Sequence, residues 1–313
     1  STLFPYTTLF RSSYHKKSYD LHQKDFFNYT KYEKMVFSLN EFTEKVFEEN
    51  EMKRFAFLKD HVERCPETGK LILPLTVDES ISELFYRKSP HTEKCMIKAQ
   101  SSKGVNELVN TGDILTSVLK DVFTDVDIYE NECRLLQHPF KSPIANSAIS
   151  FYRYYIEDTL MIDDDEVIQV EFGPNNPQDF GFSGTLFILA DSSYQVRKVE
   201  LHIPSRSDVN FVENMVISQD FAELPTGERV VVSNDMLVEL KLASFLKKLQ
   251  VQRVIRNKNY SFDEISEKVF KRIKGSVYKE PDAEMQTDDY WNEYREVELT
   301  RSESQMGTFL DRL

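Results

Sequence analysis

Six histidines, His15, His22, His61, His91, His138 and His202, are the side chains of this sequence best suited to proton transfer or metal binding, and none sits in an H-x-x-x-H or H-E-x-x-H frame. A helical zinc site needs two imidazoles one turn apart, so the rings are expected at the surface or in capping roles. His202 shares a strand with Leu201 and Ile203 but points the other way, where a solvated ring is expected. Asp163-Asp164-Asp165-Glu166 carries enough charge for calcium, but lacks the glycine and the alternating ligands of a calcium loop. It reads as a charged hairpin turn. Glu157 and Asp158 are neighbours on a strand, so their carboxylates diverge and cannot act as paired acids. Cys65, Cys95 and Cys133 are odd in number and widely spaced, without a C-x-x-C pair, which argues against zinc and against a disulfide framework. The sequence contains no G-x-S-x-G, no phosphate-binding loop and no dinucleotide fingerprint, and only 9 glycines from which to build one. The expectation is a non-enzymatic protein with no cofactor and no metal.

Composition agrees with a folded, water-exposed chain. Of 313 residues, 40% are hydrophobic and 29% charged, and 23 Phe with 15 Tyr provide a large core. Net charge is −13 and the pI about 5.1, which excludes nucleic acid as a partner on electrostatic grounds. No apolar run reaches the roughly 18–20 residues of a spanning helix.

The elements that would position these side chains follow from periodicity. Tyr29, Tyr32, Val36, Leu39, Phe42 and Val46 recur at three and four residues, predicting an amphipathic helix over Tyr29 to Phe47 that lies across a sheet, with Lys31, Glu33 and Lys34 on its wet side. Lys70 to Leu75 and Ile81 to Arg87 read as short strands, and Lys94 to Gln100 pairs with the second across Ser89-Pro90-His91. Ile114 to Phe123 has the spacing of a shorter helix, and Pro139 and Pro143 bracket a loop. From Ala148 to Ile255, strands alternate between turns at Asp163-Asp164-Asp165, Asp191-Ser192-Ser193 and Pro225-Thr226-Gly227. That pattern predicts an antiparallel meander. Gly184, in mid-strand, marks a bulge or a close backbone approach. Phe182, Leu186, Phe211, Met215 and Phe221 are the candidate lining of an apolar cavity, although core packing is the commoner fate of such side chains. Beyond Lys274 the periodicity fades, and Thr300 with Glu303 forms a capping-box start for a terminal helix. The fold class expected is α+β, a curved, half-barrel-like antiparallel meander covered by amphipathic helices.

Thr2 to Ser12, TLFPYTTLFRS, is identical to the conceptual translation of a common sequencing adapter. Residues 1–12 are accordingly expected to be non-native. Residues 13–27 then form a remnant linker, 28–275 the α+β domain, and 276–313 an acidic linker with the start of a truncated helix.

Several segments jointly resemble one known family: Tyr32-Glu33-Lys34, Leu73-Pro74-Leu75 with Glu79-Ser80-Ile81, Asp127-Ile128-Tyr129-Glu130-Asn131, Ser142-Pro143-Ile144-Ala145, Tyr154-Tyr155-Ile156-Glu157-Asp158-Thr159, Phe182-Ser183-Gly184-Thr185-Leu186-Phe187-Ile188, and Asn210-Phe211-Val212 with Ser218-Gln219-Asp220-Phe221. They resemble an uncharacterised family of Bacteroidetes outer-membrane proteins, with a carboxypeptidase-regulatory-like domain upstream and a β-barrel downstream. The resemblance implies a fragment on the periplasmic side of the outer membrane, without catalytic residues. It also implies a structural or interaction role, with the upstream domain, the barrel, other envelope proteins or lipid as partners. Phe182 to Ile203 separately resembles half-barrel folds of lipoprotein sorting, which implies an alternative: a module binding lipid or a lipoprotein acyl chain.

Overall fold

The computed structural model describes residues 20–40, 53–104, 123–204, 211–241 and 248–308, together with Thr8, Ser12, Lys45 and Glu48. Among the described residues there are fourteen strands: β1 (Phe26–Asn40), β2 (Glu63–Arg64), β3 (Leu71–Arg87), β4 (Thr92–Gly104), β5 (Glu132–Leu135), β6 (His138–Lys141), β7 (Tyr152–Ile162), β8 (Asp165–Pro174), β9 (Ser183–Leu189), β10 (Val196–Pro204), β11 (Val212–Glu223), β12 (Arg229–Lys241), β13 (Lys248–Ser261) and β14 (Val277–Lys279). Four short helices accompany them: α1 (Ala148–Phe151), α2 (Glu267–Arg272), α3 (Asp288–Tyr294) and α4 (Arg301–Gln305). The chain divides into two compact units, one of residues 1–23, 113–210 and 214–236, the other of residues 24–112, 211–213 and 237–313.

In the first unit the strand order is β12–β11–β10–β9–β8–β7, the meander that the alternation and turns predict. Leu201 stands opposite Ile217 on one side and Gly184 on the other, and Leu186 opposite Val199 and Val170. One face therefore collects Val170, Phe172, Leu186, Ile188, Val199, Leu201, Ile203, Met215, Ile217 and Phe221, all buried, while His202 on the opposite face is exposed. Gly184 is required by a close approach: a Cβ there would fall on the Glu200 carbonyl oxygen of β10. The charged turn forms as expected. Arg197 binds Asp163 at 2.8 Å, Asp165 at 2.9 Å and Asp220 at 3.4 Å, so a guanidinium stands where a bound cation would.

Among the described residues, the cover over that apolar face is a correction to the expected amphipathic helices. It is the β5–β6 hairpin with its flanking loops, which buries Val126, Ile128, Leu135, Phe140 and Ile144. Irregular backbone carries polar groups that a helix would satisfy internally, and side chains of the sheet meet some of them. Gln219 Nε2 donates to the Val126 carbonyl at 2.7 Å, the Tyr154 hydroxyl to the Pro143 carbonyl at 2.8 Å, and the Tyr152 hydroxyl to the Lys141 carbonyl. Pro139, expected in a loop, lies within β6 opposite Arg134.

In the second unit the order is β14–β4–β3–β1–β13–β12, with β2 beside β3. β1 pairs antiparallel with both β3 and β13, whereas β14 pairs parallel with β4. The helix expected over Tyr29 to Phe47 is thus a strand from Phe26 to Asn40. The cause is position: β1 runs between two long strands, and Val36 through Asn40 are buried consecutively, on both faces. With both faces covered, the period-two contrast fades and apolar residues three and four apart survive as a misleading stripe. Lys70 to Leu75 and Ile81 to Arg87 merge into the 17-residue β3, where Pro74 stands opposite Ser38 at a register shift, the place a ladder tolerates proline. The helix expected from Ile114 lies outside the described residues.

Short helices do cover one face of this second sheet. Phe85 and Met96 pack with Phe270 and Ile273 of the α2 region, and Tyr32, Ile81 and Ala99 with Trp291 of α3. Among the described residues the architecture is mostly large antiparallel and mixed β-sheet with few short helices, and the half-barrel curl expected of the sheet is not strong. Among the described residues no helix is long and apolar enough to cross a membrane, which bears on helices alone.

Candidate functional site

The five side chains expected to line an apolar cavity do not form one group. Phe182, Leu186 and Met215 are fully buried and Phe221 nearly so, all on the covered face of the first unit. Phe182 packs on Phe140, ring centroids 5.1 Å apart, and its backbone N–H donates to the Tyr152 hydroxyl at 3.0 Å. Phe221 meets the edge of Tyr129 at 5.7 Å. Phe211 belongs to the other unit, is 43% exposed, and takes a left-handed backbone with φ of 74° at the turn into β11.

The histidines remain scattered. His22 pairs with Asp20 at 2.9 Å, His91 lies 3.5 Å from Glu93, and His138 stacks on Phe180 at 4.1 Å. His15 lies outside the described residues. Cys65, Cys95 and Cys133 stand outside any disulfide, with the Cys65 thiol donating to the Glu67 carboxylate at 3.1 Å and the Cys133 thiol to the Asp127 carbonyl at 3.2 Å. Among the described residues no three His, Cys, Asp or Glu side chains gather closely enough to hold a metal ion.

A different set of polar groups does converge, and periodicity gave no sign of it. Tyr32 and Lys34, two apart on β1, share a face, and the register sets Ile81 and Glu79 of β3 opposite them. Onto this face comes the carboxy-terminal segment with α3 and α4. Arg295 clamps Glu79 through two bonds of 2.7 Å, and the Tyr32 hydroxyl donates to the same carboxylate at 2.8 Å. Lys34 reaches Glu303 at 2.8 Å, with the two side chains only 7% and 5% exposed. Glu303 also closes the capping box foreseen in the sequence: it accepts from the Thr300 N–H at 3.0 Å while Thr300 Oγ1 accepts from the Glu303 N–H at 3.2 Å. Lys34, expected on a wet helical face, is instead a buried cation holding the far end of the chain.

Electrostatics follow this packing. The Glu79 carboxylate bonded to Arg295 raises the guanidinium pKa further above its already high value, and burial with the nearby Glu79 charge pushes the Tyr32 phenol up. Burial also raises the Glu63 carboxyl, beside Thr300, and the Asp78 carboxyl on β3. Chemically this is a fastening. Each buried charge in it meets an opposite charge, and Tyr32 is held further from ionisation than a free phenol.

A family pattern matches residues 10–260, and the chain belongs to that family, described as a family of unknown function (DUF5686). No curated protein matches the sequence. Among solved structures, a LolA superfamily protein from Nitrosomonas europaea aligns over 85% of this chain and 96% of its own, at 10% identity and a TM-score of 0.28. A DUF1329 family protein from Desulfovibrio piger aligns over 86% and 98%, at 11% identity and a TM-score of 0.30. The MucA/MucB complex of Pseudomonas aeruginosa aligns over 80% and 93%, at 8% identity and a TM-score of 0.20. At such scores the likeness carries no functional argument.

Proposed function

We propose that this member of the DUF5686 family is a non-catalytic structural or interaction module of an envelope protein, lying on the periplasmic side of the outer membrane. The observation supporting it is the use made of the buried charges. Glu79, Arg295, Lys34 and Glu303 bind one another across β1, β3 and the carboxy-terminal segment, and so set where the chain leaves the sheet. An acid–base catalyst needs a carboxylate or base that can exchange a proton with substrate, whereas these are held in charge-matched pairs. A fastened exit from a large sheet suits a module that passes a fixed geometry to flanking domains, a carboxypeptidase-regulatory-like domain before it and a barrel after it.

The test is fractionation of the epitope-tagged natural gene product, with protease applied from the periplasmic side. Co-fractionation with outer membrane and cleavage in intact spheroplasts are expected. Consistent recovery in the cytoplasm would refute the localisation, and turnover of an ester or peptide that vanishes in Glu79→Gln would refute the non-catalytic role. An acyl-carrier reading draws on the apolar centre around Phe182, Leu186, Met215 and Phe221. It requires lipid that survives purification into native mass spectra, and the packing of Phe140 and Tyr129 against that centre favours the structural role.

A further inference from the structure

The second unit contains a cleft of about 400 Å³ between the end of β4 and the segment that leads into α3. That is within the ~300–1,000 Å³ typical of small-molecule sites. Gln100, Lys103 and two serines of β4 form one wall, and Glu284, Gln286, Asp288 and Trp291 the other, with Arg295 at its end. We propose that this cleft is a binding site for a neutral polyhydroxylated ligand, that is, a saccharide. The inference stands apart from the envelope role and would survive its failure.

The lining supports this class over others. Arg295 is already paired with Glu79 and Glu284 with Lys279, which leaves Lys103 to balance Asp288, and what remains is amide, hydroxyl and indole. An acyl chain would strip water from these groups without replacing its hydrogen bonds. An anion would meet two carboxylates, and the Arg295 charge it would seek is already clamped by Glu79. A cation would meet the Lys103 ammonium, and the Glu284 carboxylate it would seek is already paired with Lys279. Sugar hydroxyls donate and accept together, so they can serve carboxylate, ammonium and amide in one site.

The second wall is also held in place before any ligand arrives. Gln286 Nε2 donates to the Lys98 carbonyl at 3.3 Å and to the Asp282 carbonyl at 3.4 Å, which fixes the amide plane. Trp291 packs on Tyr32, Ile81 and Ala99, with the Arg295 guanidinium 5.7 Å from its ring centroid. Rigid polar groups of this kind reduce the ordering cost of binding.

Trp291 is the only tryptophan in the chain, so the tryptophan component of its emission comes from this wall of the cleft. The full chain is titrated with glucose, N-acetylglucosamine, cellobiose and chitobiose, each followed by tryptophan emission and by saturation-transfer NMR of the sugar. At least one is expected to give a saturable response. Asp288→Asn should weaken it by about tenfold, the loss of a hydrogen bond to a charged partner, and Gln100→Ala by about fivefold, the loss of a neutral one, while Lys198→Ala in the first unit should leave it unchanged. Asp288 is exposed and Gln100 lies on a different element, so loss of fold in one variant leaves the other to decide. The proposal is overturned if none of the four sugars saturates either signal, or if both variants bind like the parent. A saturable response to inorganic phosphate or decanoate in place of the sugars overturns it equally.

Discussion

Arg295→Met is the sharpest test of the carboxy-terminal fastening. The side chain of Glu79 is 2% exposed and that of Arg295 18%, so removing the guanidinium strands a carboxylate that keeps only the Tyr32 hydroxyl as partner. Breaking one side of a buried ion pair costs about 3–5 kcal/mol. The partial exposure of Arg295 lets water reach the gap and places the expectation at the lower end, about 3 kcal/mol. For a unit of this size that corresponds to a fall of about 6–12 °C in melting temperature, at ~2–4 °C per kcal/mol. Thermal and urea unfolding should be followed by Trp291 emission, which reports on α3, and by far-ultraviolet circular dichroism, which reports on both sheets. Glu79→Gln combined with Arg295→Met should be more stable than the sum of the single changes predicts, because no charge is left stranded. A loss below about 1 kcal/mol, or strict additivity of the pair, would show that the clamp is an exposed contact of little consequence.

The remaining expectations concern other parts of the two sheets. Phe182→Asp places a charge at a fully buried site against Phe140 and should unfold the first unit, a loss above about 4 kcal/mol. Lys198→Asp changes a part-exposed pair with Glu200 and a contact of its ammonium with the Phe187 ring, and should move the melting temperature by far less than Phe182→Asp, ~1 kcal/mol equivalent; equal effects would mean the strand facing is wrong. Gly184→Ala should destabilise the same unit by several times the ~1 kcal/mol that a strand glycine ordinarily concerns, since its Cβ meets backbone rather than a movable side chain, and a neutral melt would contradict the register. Asp78 titrates above the ordinary carboxylate range because burial disfavours its charged form. The folded state therefore binds the proton more tightly than the unfolded chain, so the penalty is present at neutral pH and disappears as pH falls through the folded pKa. Asp78→Asn should raise the melting temperature at pH 7 and match the parent at pH 3; destabilisation at pH 7 would reverse the argument.

Where one sheet face is covered and the other wetter, the sequence was readable. Between Tyr152 and Ile203 the alternation of Phe172, Leu186, Val199 and Leu201 with polar neighbours located strands, facing and turns, and Gly184 announced its close approach. The capping box at Thr300 and Glu303 was equally plain, being a local motif. β1 was opaque because long strands flank it on both sides and its last five residues, Val36 to Asn40, are buried without regard to parity. Lys34, Glu79 and Arg295 were opaque for another reason. Their partners lie 269, 216 and 216 residues away in sequence, and a charged residue in isolation reads as a solvated one. The cover over the first sheet escaped notice because a hairpin held by tyrosine and glutamine hydrogen bonds has no periodicity to detect.

The doubled role of Glu303 ties local order to long-range attachment. α4 has five residues, well short of the ~12–15 at which a helix persists alone in water. Its first turn depends on the carboxylate that Lys34 grips from β1, so the turn and the grip should form and dissolve as a single event. A synthetic peptide spanning 288–308 is therefore expected to be coil in solution, and the amide protons of α4 should exchange at the rate at which the tail peels from the sheet.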